Sequence, residues 1–80
     1  MDPGEHSRLK WRCRRGMREL DVVLSRYLEQ DYPGASAESR AAFRALLDLP
    51  DPEIYGLLLG RLAPGEEALA RVLESLRVGP

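Results

Sequence analysis

One cysteine, one histidine, one tryptophan and one phenylalanine are all that this 80-residue chain holds of those four residue types, and each scarcity removes a class of chemistry. Cys13 has no second cysteine with which to close an intramolecular disulfide, and Cys13 with His6 cannot supply the four ligands of a structural zinc site. No Ser/His/acid or Cys/His pairing suited to nucleophilic catalysis is recognisable, and no glycine-rich loop opens a helix in the pattern that cradles phosphates. No apolar run approaches the roughly 20 residues that span a bilayer. The opening Met1-Asp2-Pro3-Gly4-Glu5-His6 has neither the hydrophobic core of a signal peptide nor the acid-poor character of a transit peptide. A cytoplasmic location, in a bacterial cell and without membrane insertion, is the expectation.

What is present describes a folded chain. Hydrophobic residues make up 44% and charged residues 31%, with thirteen acids against twelve bases, a balance that separates it from disordered tails. The length accommodates one small domain over residues 1–80, with 1–6 and 78–80 expected to be disordered. A domain of this size buries only about 60% of its extended-chain surface, and its net stability is on the order of 4 to 12 kcal/mol. A pocket that enclosed a substrate would consume much of such a core, so the chain is not expected to be an enzyme.

The near-neutral total hides two ends of opposite sign. Through Arg18 there are six bases (Arg8, Lys10, Arg12, Arg14, Arg15, Arg18) against Asp2 and Glu5, a net of +4; the remainder carries six bases and eleven acids, a net of −5. A basic leading segment fits nucleic acid, an acidic protein partner, or a solvated helix face.

Helical periodicity dominates, and no segment alternates as a strand does, so the class is all-α. Ser7 is placed to cap a first helix running to about Arg14, with Leu9 and Trp11 its few apolar groups and Gly16 interrupting it. From Met17 the positions Leu20, Val23, Leu24, Tyr27 and Leu28 recur at three- and four-residue spacing until Pro33-Gly34. Ser36 is placed to cap a third helix, with Glu38 in its first turn and Phe43, Leu46 and Leu47 on one stripe, stopped by Asp48-Leu49-Pro50. Asp51-Pro52-Glu53 is a strong helix start: aspartate as cap, proline at the first position and glutamate at the positive pole. The fourth helix then carries Ile54, Tyr55, Leu57, Leu58, Leu59 and Leu62, apolar nearly all round, and is expected to be the most buried. Pro64-Gly65-Glu66-Glu67 opens a fifth helix with Leu69, Val72, Leu73 and Leu76 on one face, and Gly79-Pro80 is a frayed end. The architecture is a compact five-helix bundle, and narrow apolar stripes leave no second face for a permanent dimer, so a monomer is expected.

Caps, turns and leucine stripes leave one segment over: Arg14-Arg15-Gly16-Met17-Arg18-Glu19-Leu20-Asp21. Three arginines and two acids surround a glycine at a helix junction, where backbone can be approached closely and guanidinium forks can grip carboxylates or carbonyls of a partner. A structural reading stands beside it. Arg14 and Arg15 offset the negative end of one helix, Glu19 favours the positive end of the next, and Arg15 to Glu19 is the four-residue spacing of a surface ion pair.

This run matches the R-G-x-x-E signature, in its fuller R-R-G-x-x-E-x-D form, and so resembles the SdhE-type FAD assembly factors. Arg8-Leu9-Lys10-Trp11-Arg12-Cys13 resembles the opening helix of that family, and Phe43-Arg44-Ala45-Leu46-Leu47 through Asp51-Pro52-Glu53-Ile54-Tyr55 resembles its later F-x-x-L-L…D-x-x-(I/L)-(Y/F) stretch. Length, helix order and motif positions agree over about Arg8 to Leu62. The resemblance implies a five-helix assembly factor that binds the flavoprotein subunit of succinate dehydrogenase, and often of fumarate reductase, and promotes covalent attachment of FAD to a client histidine. It also implies that nucleophile and cofactor pocket belong to the client. A chain this small, with a leucine-filled fourth helix and no glycine-rich loop opening a helix, has little volume for a dinucleotide, so no tightly bound FAD is expected. Arg15, Gly16 and Glu19 are then the signature partner-binding residues, with Arg14 and Asp21 in support.

Trp11, on the basic helix, is a candidate interface anchor or a lid on the core. Cys13 reads as a buried, inert thiol rather than a reactive one, and His6 has no assigned role. Tyr27, Tyr32 and Tyr55 read as core edges with wet hydroxyls. The alternative to an assembly factor is a small nucleic-acid-binding or regulatory module that uses the basic start with Trp11 embedded in it. An acidic remainder and the lack of a recognisable helix-turn-helix speak against it, and no nucleic acid is expected among the partners.

Overall fold

Apolar spacing and stop residues divide the chain into five α-helices in the computed structural model, which describes residues 3–77: α1 (Pro3–Arg12), α2 (Arg18–Arg26), α3 (Ala37–Leu47), α4 (Asp51–Leu58) and α5 (Glu67–Arg77). No strand occurs among the described residues. The expected disorder at residues 1, 2 and 78–80, the Gly79-Pro80 end included, lies outside them.

The first helix starts at Pro3 rather than after a Ser7 cap, so Pro3 to His6 are helical where disorder was expected. Proline at the first position gives up an amide that has no helical acceptor. The early turn is also held from outside: Tyr32 Oη donates to Glu5 Oε1 at 3.1 Å, and His6 Nε2 lies 3.2 Å from Glu29 Oε1. At the other end α1 stops at Arg12, and the amides of Cys13 and Arg14 close its last turn on Leu9 and Trp11 carbonyls at 3.0 Å each.

The helix expected from Met17 to Pro33 is continuous but changes its winding. After α2 come a π-wound turn, Tyr27–Asp31, and a 3₁₀ turn, Tyr32–Gly34. The buried positions Leu20, Leu24, Leu28 and Tyr32 are spaced by four, and on an α-helix each such step over-rotates by about 40°. The wider turn under-winds the chain and returns Tyr32 to the core face.

Ser36 caps α3 as the sequence suggests, its Oγ accepting from the Ser39 amide at 3.1 Å. Ala42, Phe43, Leu46 and Leu47 turn inward, and the Phe43 ring sits 4.6 Å from Tyr27 and 5.6 Å from Tyr32, centroid to centroid. Tyr27 and Tyr32 are thus fully buried and not core edges; the Tyr32 hydroxyl is wetted by no exposure but accepts from Arg44 Nη1 at 2.8 Å. The amphipathic α5 lays Val72, Leu73 and Leu76 chiefly against α3.

The fourth helix corrects the sequence reading most. It ends at Leu58, only Ile54 and Leu57 are buried, and Leu59 and Leu62 are 59% and 46% exposed. Gly60, at φ +77°, reverses the chain, and the amides of Arg61 and Leu62 return to the Gly56 carbonyl at 2.8 and 3.1 Å. Leu62 then lies over Gly56, where a Cβ would come within 2.8 Å of its Cδ1. The centre of the core is accordingly shared by α2 with its π turn, α3 and α5. Nor does Asp51 cap its own helix: Pro50 occupies the cap position, and the Asp51 carboxylate is taken by Arg15.

Arginines close the helix ends. Arg12 and Arg15 donate to carbonyls at the end of α3, Arg26 to those of Ser75 and Leu76 in α5, and Arg77 to those of Leu57 and Leu58 at the end of α4. Each satisfies acceptors that a helix C-terminus leaves without partners, and each places a cation at a negative pole. The radius of gyration is 11.5 Å, close to the ~12 Å of a well-packed chain of this length.

Candidate functional site

The Arg14–Asp21 run forms the corner between α1 and α2, and part of it makes the corner itself. Gly16 sits at φ +80°, with nothing within 4 Å of where a Cβ would stand, so conformation rather than space demands glycine there. Met17 precedes α2 in extended conformation with no side-chain cap; across the corner, Asp21 Oδ1 accepts from the Arg15 amide at 2.7 Å.

Arg15 points into the fold, its side chain only 16% exposed. Its Nε donates to Asp51 Oδ1 at 2.7 Å, Nη1 to the carbonyls of Leu47 at 2.8 Å and Arg12 at 3.2 Å, and Nη2 to the Leu49 carbonyl at 2.6 Å. The surface pair of Arg15 with Glu19 that their spacing suggests does not form. Glu19 Oε2 instead accepts from Tyr55 Oη at 2.7 Å. Arg15 and Glu19, four residues apart, are therefore met by Asp51 and Tyr55, also four apart and so on one face of α4.

Of the rest of the run, Arg14, Gly16, Arg18 and Glu19 face solvent, whereas Leu20 is buried and Met17 packs against the core. Trp11 is 72% exposed, which excludes it as a lid on the core, and the Arg14 guanidinium stands 5.6 Å from its ring centroid. Arg14 separates two open depressions. One, of about 320 Å³, is lined by Ser7, Lys10, Trp11 and Arg14; the other, of about 590 Å³, by Arg14, Gly16, Asp21, Val22 and Ser25. Val22 is 58% exposed. Aromatic face, planar cation and open backbone at Gly16 are the chemistry of a protein-recognition surface.

Two titrating groups border the corner. The hydrogen bond to Glu19 holds the Tyr55 phenol above its ordinary pKa, with partial burial and the charges of Glu19, Asp21 and Asp51 acting the same way. Burial pushes the Cys13 thiol up to about 11 against the opposing pull of Arg15 and Arg12, so it is protonated and inert at neutral pH. Among the described residues no cluster of three or more His, Cys, Asp or Glu could hold a metal ion, and no helix is long and apolar enough to cross a membrane.

Of the six predicted partner-binding residues, Trp11, Arg14, Gly16 and Glu19 are exposed, while Arg15 and Asp21 hold the corner from within. Asp51, Tyr55, Val22 and Ser25 were missed. Asp51 read as a helix cap, and its one-turn spacing to Tyr55 was the available signal for a shared face. Val22 carried a signal as well, since it lies off the stripe of Leu20, Val23, Leu24 and Tyr27.

The chain matches the family model described as flavinator of succinate dehydrogenase over residues 7–79. A FAD assembly factor SdhE of Methylococcus capsulatus is 44% identical over 73 residues, covering 91% of this chain and 88% of the relative. The protein of the same name from Pseudomonas aeruginosa is 41% identical over 81 residues, covering 99% and 96%, and that of Coxiella burnetii is 33% identical over 76 residues, covering 95% and 93%. No solved structure gives a significant match. With the match running from within α1 through the end of α5 and the signature at the corner between α1 and α2, this chain belongs to the flavinator of succinate dehydrogenase family.

Proposed function

We propose that this protein binds the flavoprotein subunit of succinate dehydrogenase, and that of fumarate reductase where present, and promotes covalent attachment of FAD to a client histidine. The observation that carries this reading is the family match over residues 7–79, together with a corner whose Arg15 and Asp21 are held inward while Trp11, Arg14, Gly16 and Glu19 remain available. The protein acts as a chaperone-like binding module and not as an enzyme. Nucleophile and flavin pocket belong to the client, and the factor supplies geometry, which alone can contribute several kcal/mol to a barrier. The setting is the bacterial cytoplasm.

Glu19→Ala tests the site. It removes a charge-assisted contact to the client, so client affinity falls by roughly 5- to 50-fold, while the free domain loses about 1 kcal/mol or less, because a partly exposed hydrogen bond stabilises so little. Covalent flavin in a co-expressed client, read as fluorescence of the denatured flavoprotein band, falls with it. Wild-type flavinylation by a folded Glu19→Ala protein overturns the site, and equal loss of melting temperature and activity makes Glu19 a purely structural residue.

On this reading the protein itself holds no tightly bound FAD, an expectation supported by the open depressions beside Arg14 and by a core built of packed side chains. Gel filtration is expected to give a 9.0 kDa monomer without visible flavin absorbance. A co-eluting stoichiometric flavin, or a mass of twice that value, contradicts the corresponding statement.

A further inference from the structure

Tyr55 reaches the corner from another helix, and packing alone does not account for its hydroxyl. The residue is half-buried on α4, Ile54 and Leu57 beside it fill the core, and its Oη ends on the Glu19 carboxylate at 2.7 Å. We propose that Tyr55 is a positioning residue for Glu19, fixing one carboxylate oxygen so that the other is presented to the client; the inference rests on Glu19 contacting the client as described above. Two observations and one general cost carry it. Glu19 lies in the first turn of α2, exposed, and no described residue engages its Oε1. An exposed glutamate with no donor would sample many rotamers and lose that freedom on binding. The donor is itself anchored, because Asp51, one turn before Tyr55, is tied to Arg15, which is fixed on three backbone carbonyls. The same face of α4 thus holds the corner through Asp51 and aims its carboxylate through Tyr55. The Arg15 rung sets how far α4 stands from α2, and the Tyr55 rung uses that separation.

A double-mutant cycle in the full chain separates positioning from support of the fold. The affinity of wild type, Tyr55→Phe, Glu19→Ala and the double variant is measured against the purified flavoprotein subunit of succinate dehydrogenase, with a thermal melt of each free protein. Tyr55→Phe keeps the ring and its packing and removes only the hydroxyl, so the expected result is an affinity about 3- to 10-fold weaker, the saving lost when one long side chain must be ordered on binding. In the Glu19→Ala background the same substitution changes affinity less than twofold, because no carboxylate is left to aim. Undiminished affinity in Tyr55→Phe, beside a weakened Glu19→Ala, overturns the positioning role and leaves the client site standing. An equal loss in both backgrounds also overturns it, since Tyr55 would then act on the client or the fold without Glu19. Wild-type affinity in Glu19→Ala overturns the site reading and the positioning role together.

Discussion

Cys13 shows how a residue with chemical potential is silenced by its surroundings. Two guanidinium groups, those of Arg15 and Arg12, pull its pKa down, yet burial in the core at the end of α1 outweighs them and pushes the thiol up to about 11. The consequence for stability has a definite sign. In the unfolded chain the thiol ionises near its ordinary value of about 9, while the native protein keeps the proton until about 11. The native state therefore binds more protons between those values, and its stability, complete below about pH 9, declines by up to roughly 3 kcal/mol as pH rises toward 11. Tyr27, also raised by burial, adds a decline of the same sign at the upper end. Urea midpoints measured from pH 8 to 10.5 should fall for the wild type and fall less for Cys13→Ala, even though that variant starts lower for lack of a buried sulfur. A Cys13→Ala slope equal to that of the wild type would assign the alkaline decline to other groups.

At the scale of helices, the corner is held by arginine more than by apolar contact. Arg15 spans the ends of α1 and α3 and the start of α4 in one guanidinium, with donors matched to three carbonyls and a carboxylate. Arg15→Ala leaves those acceptors and Asp51 without their partner in a mostly buried site and should cost roughly 2 to 4 kcal/mol. Arg15→Lys recovers only part of this, because an ammonium cannot reproduce the planar fork. Denaturant unfolding of the free variants measures both; loss of client binding by a fully stable Arg15→Ala protein would contradict the assignment and place Arg15 on the contact surface. The example also marks what the sequence could and could not convey. Ser36 as a cap, the Gly16 corner and the stripes of α3 and α5 were legible because each depends on neighbours within one or two turns. Arg15 on Asp51 and Glu19 on Tyr55 join residues 36 positions apart, and local spacing suggested instead that Arg15 and Glu19 would pair with each other. The same limitation explains α4: a run of leucines signals burial, but Gly60 turns the chain before Leu59 and Leu62 can reach the core.

For the molecule as a whole, folding redistributes the charge that the sequence displays. Six bases lead the chain, but Arg15 is directed to Asp51 and helix carbonyls and Arg12 to Asp48 and the Arg44 carbonyl. Arg8, Lys10, Arg14 and Arg18 remain on the surface, with Arg14 against the Trp11 face. This matters for the choice between a protein client and a nucleic acid. A non-specific DNA binder draws its affinity from phosphate contacts, and each contact contributes close to one unit of salt slope. Four cations limit that slope to no steeper than about −4, and the eleven acids on the rest of the chain oppose approach of a polyanion. Fluorescence anisotropy with a generic DNA duplex should therefore give a dissociation constant weaker than about 10⁻⁴ M at physiological salt, the weak limit of ordinary non-specific binding. Both the Arg14→Ala and the Trp11→Ala proteins should lose affinity for the flavoprotein subunit, because cation and ring together form an anchor for a protein surface; the uncharged change at Trp11 leaves the DNA salt slope as it was, while loss of Arg14 lowers it by about one unit at most. Micromolar DNA affinity with a slope steeper than −4 would require more cations at phosphate than this surface supplies. It would mean that Arg12 or Arg15 leaves its helix end, or that exposed arginines of the later helices and turns such as Arg61 join in, and the nucleic-acid reading would then displace the client.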